Sequence, residues 1–180
     1  MNREQGFTII ELMIAVGLTA ILLGMAAPAV TTLVSNARQT GAINDLVSSM
    51  HLARSTAITT NTRVTMCASG GSDNCAVSGW DQGWIVFTDR DSDRIVDADE
   101  DIISSSDGSA SLTIQSASFP LFLMYRPNGR VMNAAINGNI GEFTVCDTRG
   151  ATHAKVLVID LSGRPRTSTK LANGAAPSCI

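Results

Sequence analysis

Two stretches carry side chains whose types and spacing suit chemistry with ions. The first is basic. From Arg126 to the C-terminus the chain has Arg126, Arg130, Arg149, Lys155, Arg164, Arg166 and Lys170, against the acids Glu142, Asp147 and Asp160. After Asp160 no acidic side chain follows, and the segment Ser162-Gly163-Arg164-Pro165-Arg166-Thr167-Ser168-Thr169-Lys170 concentrates the charge. It reads as a short loop that Gly163 turns and Pro165 stiffens, so that two guanidiniums project with little freedom left to lose. A planar guanidinium fork matches the geometry of phosphate oxygens, and hydroxyls on Ser162, Thr167, Ser168 and Thr169 can add hydrogen bonds. Contacts of this kind bind nucleic acid through its backbone, without reading bases. The alternative is an ordinary solvated basic loop. Few aromatics lie nearby, which argues against stacking of single-stranded bases.

The second stretch is acidic. Asp89, Asp91, Asp93, Asp97 and Glu100 fall at the first, third, fifth, ninth and twelfth places of a calcium-loop pattern, with Ile95 at the backbone-ligand place. The sixth place holds Arg94 where that pattern has the glycine of its sharp turn, and a strand, not a helix, precedes it. The expectation is therefore no metal and a solvated hairpin loop, its carboxylates paired with Arg90 and Arg94, with calcium as the alternative.

Little else on the chain can do covalent chemistry. The two histidines, His51 and His153, are far apart, and four cysteines form no zinc-type double C-x-x-C. No enzyme and no cofactor is expected. An even number of cysteines, should the chain leave the cytoplasm, allows two disulfides in three pairings. Cys67 and Cys75 flank a Gly-Gly turn and pair most simply with each other, which leaves Cys146 with Cys179.

The element that must position these stretches begins at Phe7. From Phe7 through Val34 the only ionisable side chain is Glu11, and the apolar run to Ala27 reaches the roughly 20 residues that span a bilayer as helix. A carboxylate in such a segment is costly and marks function. An ordinary secretory signal cut after Ala27 or Ala29 would bury Glu11 in its own apolar core. A cut between Gly6 and Phe7 instead leaves an α-amino charge on Phe7, which Glu11 of a neighbouring copy can neutralise.

Gly6-Phe7-Thr8 followed by Glu11-Leu12 resembles the class III signal of type IV pilins and the related secretion pseudopilins. The resemblance implies a prepilin peptidase that cuts after Gly6 and N-methylates Phe7. It also implies that Glu11 sets subunit register among other pilin subunits, and that the chain resides in the inner membrane, single-pass with a periplasmic head, before assembly into a pilus or pseudopilus.

Beyond the apolar run, Val30, Leu33, Val34, Ala37, Ile43, Leu46, Val47, Met50, Ala53 and Ala57 recur mostly at spacings of three and four, as on one buried helical stripe. Ser35, Asn36, Arg38, Gln39, Asn44, Asp45 and Arg54 form the polar face, His51 is expected to be partly buried, Pro28 to kink the helix and Asn61 to end it. The expected organisation is a leader over 1–6, a membrane or filament-core helix over 7–30, its amphipathic continuation over 31–61, and a β-rich head over 62–180. Strands are expected at Arg63–Ala68, Gly83–Thr88, Ile102–Ser105, Leu112–Gln115, Leu121–Arg126, Arg130–Met132, Glu142–Cys146 and Lys155–Leu161, separated by turn residues. One long helix followed by strands indicates an α+β fold with the sheet packed on the helix.

The head carries its own likeness. Trp80-Asp81-Gln82-Gly83-Trp84-Ile85-Val86-Phe87-Thr88-Asp89, Arg126-Pro127-Asn128-Gly129 and the Cys146 strand followed by Val156–Gly163 resemble the GspH/FimT/FimU minor pilins and pseudopilins. Trp80 and Trp84 are read as core. A G-R-x-R loop after a late strand is similar to the DNA-binding site of FimT-type minor pilins, which serve DNA uptake in natural transformation. That resemblance implies double-stranded DNA as a partner, bound without sequence preference by Gly163, Arg164, Arg166 and Lys170. Arg130, Arg149 and Lys155 extend the patch if the fold brings them there. A structural minor pilin or type II secretion pseudopilin that binds no DNA is the other reading.

Overall fold

The computed structural model describes residues 6–132, 140–160 and 162–179, with the side chains of 26–29 outside that description. The leader residues 1–5, the turn at 137–139, Leu161 and the side chain of Pro28 therefore lie outside the described residues. The chain forms two compact units that divide between Arg38 and Gln39.

Helix α1 runs Ile9–Thr60 and crosses that division. Its start is chemically marked. Glu11 accepts hydrogen bonds from the backbone N–H (2.9 Å) and hydroxyl (3.0 Å) of Thr8, while the Thr8 hydroxyl accepts from the Glu11 N–H at 3.3 Å. This reciprocal capping satisfies donors that a helix start leaves open. In the first unit the helix is long and apolar enough to cross a membrane, and its described side chains are almost all exposed. At the other end Asn61 adopts φ 53° and the Thr62 N–H donates to the Ala57 carbonyl at 3.3 Å, which is how a left-handed residue closes a helix C-terminus.

In the second unit α1 buries Ala42, Ile43, Leu46, Met50, Ala53 and Ala57. Two polar residues depart from the expected faces. Gln39 is fully buried beside this stripe, and His51 is exposed, because the helix turns position 51 away from the sheet.

The strands are β1 (Val64–Ala68), β2 (Trp84–Thr88), β3 (Ile102–Ser106), β4 (Thr113–Gln115), β5 (Phe122–Tyr125), β6 (Val131–Met132), β7 (Gly141–Cys146), β8 (Lys155–Ile159) and β9 (Pro165–Ser168). They form two antiparallel sheets, ordered β3-β2-β1-β5-β6 and β4-β7-β8-β9. All eight expected strands are present with ends shifted by a residue or two, and the helix-plus-sheet architecture is the α+β fold expected.

Side-chain alternation along each strand sorts the sheets into faces. Val64, Met66, Trp84, Val86, Leu123 and Tyr125 join the α1 stripe in the main core, as do Ile114, Phe143, Val145, Leu157 and Ile159 of the second sheet. Cys67, Ile85 and Phe87 face the other way and are covered by Cys75, Val96 and Phe122. Both tryptophans are core residues. Trp80 donates to the Phe119 carbonyl at 2.8 Å and meets Phe143 edge-on, and Trp84 donates to Ser49 of α1 at 3.0 Å. Both expected disulfides form, Cys67–Cys75 and Cys146–Cys179.

Candidate nucleic-acid interface

The basic segment is not a loop. The described turn residues are 162 and 163, and Pro165–Ser168 is strand β9 at the edge of the second sheet, with Arg166 opposite Val158 and Pro165 opposite Ile159. Proline is tolerated there because an edge strand leaves one row of N–H groups unpaired. Period-two alternation puts Arg166 on the same face as Val158 and Glu142, away from the core. Asp160 and Arg164 face each other where the turn closes, so Arg164 and Arg166 present on one side of the hairpin. Both are exposed, and neither forms an ion pair among the described residues.

The turn is built to be rigid. The Gly163 N–H donates to the Asp160 carbonyl at 2.9 Å. The Asp160 carboxylate accepts from the Ser162 hydroxyl (2.6 Å), the Ser162 N–H (2.9 Å) and the Arg164 N–H (3.1 Å). The Ser162 hydroxyl, the two N–H bonds and the Arg164 charge together hold the Asp160 carboxyl below its ordinary value. Gly163 has φ 74°, and a Cβ there would stand 2.3 Å from the Gly129 carbonyl oxygen. Only glycine fits. The buried Tyr125 hydroxyl donates to the Gly163 carbonyl at 3.0 Å, and Arg54 of α1 donates to the Gly129 carbonyl at 3.1 Å. Burial pushes the Tyr125 phenol well above its ordinary value, so it remains a donor at any working pH. Tyr125→Phe leaves the Gly163 carbonyl without that donor and is expected to cost about 1–2 kcal/mol, measured by denaturant unfolding.

The remaining basic residues are dispersed by the fold. Lys170 is exposed but lies beyond the far end of β9, where Ser168 turns the chain through bonds to the Lys170 N–H and carbonyl. Arg130 belongs to the 126–130 turn against which Gly163 packs, and its side chain is exposed. Two of the expected patch residues are elsewhere. Arg149 is folded onto Asp147 through Nε and Nη2 at 2.9 and 2.6 Å, with both side chains largely covered. Lys155 starts β8 at the end away from the hairpin, and its Nζ donates to Thr40 of α1 at 2.8 Å. A carboxylate within reach of the guanidinium captured the first, and strand length separated the second.

The Arg149 hydrogen bonds are the largest cause of an Asp147 pKa below its ordinary value. A depressed carboxylate pKa stabilises the fold above the unfolded-state value of about 3.9, and the contribution is lost as pH falls through the folded-state value. Arg149→Ala is therefore expected to lower Tm at neutral pH, with the difference from the unsubstituted protein vanishing in strong acid. A pH series of melting curves checks this.

Sequence reading missed one further basic feature. An open cleft of about 550 Å³ is lined by Arg63, Arg90 and Arg126, with Asn61, Pro127 and Asn128. It gathers the end of α1, the loop after β2 and the turn after β5, so no local pattern could announce it. Arg126 and Gly129 belong to the same turn, which links this cleft to the hairpin.

In the acidic stretch, one carboxylate oxygen from each of Asp89, Asp91 and Asp93 lies within 4.8 Å of the others. Asp97 and Glu100 do not join them. Glu100 instead clasps the loop, accepting from the N–H groups of Arg90 (2.6 Å) and Asp97 (3.4 Å). Burial, and then the charges of Asp89 and Asp91, push the Glu100 carboxyl above its ordinary value against those bonds. Of the expected charge pairs, Arg90 approaches Asp99 at 3.8 Å on the surface, while Arg94 lies over the Phe122 ring at 4.9 Å.

A capped apolar helix continuing into an amphipathic one, ahead of a disulfide-bonded antiparallel head, is the build of a pilin-type filament subunit. The chain belongs to the family described as type II transport protein GspH, which matches residues 42–163, and the prokaryotic N-terminal methylation motif matches residues 1–27. Two crystal structures of the Pseudomonas aeruginosa type IV minor pilin FimU share the fold. One is 23% identical at TM-score 0.60, covering 81% of this chain and 98% of FimU; the other is 22% identical at TM-score 0.58, covering 78% and 99%. No curated protein matches the chain. The chain is inserted in the inner membrane and assembled into a pilus or pseudopilus, with prepilin peptidase and other pilin subunits as partners.

Proposed function

We propose that this chain is a minor type IV pilin whose head binds double-stranded DNA through the phosphate backbone, during DNA uptake in natural transformation. One observation carries the reading: two exposed guanidiniums, free of ion pairs among the described residues, on one side of a hairpin that Gly163 and Tyr125 pin to the head. A rigid pair of forks loses little entropy when it meets phosphate, and binding of this kind is salt-dependent and indifferent to sequence. Arg164 and Arg166 make the primary contacts. Lys170 and Arg130 contribute long-range attraction. In the processed form the chain starts at Phe7 after cleavage behind Gly6, Phe7 is N-methylated, and Glu11 pairs with the α-amino group of a neighbouring subunit. In the full chain Glu11 caps its own helix through Thr8, and pairing with a neighbour's amine would exchange that contact for a charge-assisted one.

A second reading is a purely structural minor pilin or type II secretion pseudopilin acting in filament assembly. The family match favours it, because that family is described as a type II transport protein. A deletion strain scored separately for DNA uptake and for piliation distinguishes the two. Lost uptake with normal filaments supports the DNA-binding reading; lost filaments that an Arg164→Ala, Arg166→Ala gene restores together with uptake support the structural one.

A further inference from the structure

Asp89 is a fully buried carboxylate with an unsatisfied oxygen. Its Oδ2 accepts from the equally buried Thr65 hydroxyl, and its Oδ1, also buried, has no hydrogen-bond partner. Burying an ionised carboxylate without a counter-charge is among the costliest arrangements a fold can hold. The neighbouring cations are all engaged elsewhere. Arg63 donates to Ser92 at 2.9 Å, Arg90 approaches Asp99, and Arg94 lies on Phe122. What does face Asp89 is more negative charge, from Asp91 and Asp93, both exposed and both with an oxygen inside the same 4.8 Å cluster. Three carboxylates gathered this closely, one of them buried with an unpaired oxygen, repel one another unless a cation sits among them.

We infer that Asp89, Asp91 and Asp93 bind a calcium ion. The oxygen-only donor set suits a hard cation. The places of the three aspartates, first, third and fifth in the loop, are those that supply side-chain ligands in a calcium loop. The objection raised by Arg94 at the sixth place is met by its backbone, which has φ 68° and so makes the left-handed turn that glycine makes in a calcium loop. The Arg94 guanidinium on Phe122 anchors that turn to the sheet. Since Glu100 is spent on closing the loop, carbonyls and water complete the coordination, and the affinity belongs to the weak range of exported modules, about 10⁻⁴–10⁻³ M. Binding fixes the segment that carries Val96 over the outer face of the first sheet.

The test uses full-length protein in detergent, stripped with EDTA and titrated with CaCl₂ or MgCl₂ by calorimetry and by thermal melting. One calcium is expected to bind per chain, and saturation to raise Tm by about 3–5 °C. Asp91→Asn and Asp93→Asn, both at exposed positions that tolerate the change, are expected to weaken calcium binding at least tenfold each. No heat and no Tm shift at 10-fold above about 10⁻³ M calcium overturns the site. An equal response in the two variants, or an equal response to magnesium, overturns it as well.

Discussion

Full-length protein carrying both Arg164→Ala and Arg166→Ala is expected to lose most of its binding to duplex DNA in a mobility-shift assay at low salt. Non-specific affinities of this kind lie near 10⁻⁴–10⁻⁶ M at physiological salt, so the margin is small. A charge-assisted hydrogen bond contributes about 1.5–3 kcal/mol, and removing two moves binding by well over tenfold. Each lost phosphate contact also lowers the salt slope by about 0.9, so the residual binding is expected to be flatter in salt by roughly twice that. Arg149→Ala is the matched control. It removes an arginine from the same basic third of the chain, but one whose guanidinium is folded onto Asp147. It is expected to leave the shift unchanged. Equal losses from the two experiments would mean that net charge, and not the hairpin, drives binding.

Breaking Cys146–Cys179 is expected to be the largest single loss of stability. The two residues are 33 apart in sequence, against 8 for Cys67–Cys75. In the chain-entropy account, which is model-dependent, the longer loop stabilises by about 3.7 kcal/mol and the shorter by about 2.5 kcal/mol. The longer bridge also holds a tail with few other ties: the Ala172 N–H on Glu142, and the Ser178 carbonyl accepting from Gln115 at 2.7 Å. The Cys146→Ala, Cys179→Ala protein is expected to unfold at lower denaturant with a steeper slope, because the unlinked denatured chain exposes more surface, and to fray at residues 171–179 in hydrogen exchange. A smaller loss than that from Cys67→Ala, Cys75→Ala would contradict the ranking.

Much of this was legible without coordinates because the signals are local. Glu11 beside Gly6-Phe7, the apolar run behind it, the stripe from Ile43 to Ala57 and eight strands bounded by turn residues each follow from neighbours in the chain. The cysteine pairing was only the simplest of three from sequence, suggested by the Gly-Gly turn between Cys67 and Cys75, and the structure selects it. What the residues alone determined is thus a membrane-anchored helix, an α+β head and a concentration of arginine near the end. The tertiary structure decided which arginines are available. Strand β9 escaped notice because an edge strand with Pro165, Arg166 and Thr167 has no apolar alternation; its pairing to β8 supplies the order that its own side chains do not. Arg149 and Lys155 left the patch when Asp147 and Thr40 came within reach. Arg63, Arg90 and Arg126, far apart in sequence, met at one cleft. Charge is a property of residues, but whether a charge is spent or free depends on what the fold sets beside it, and that contact is nonlocal.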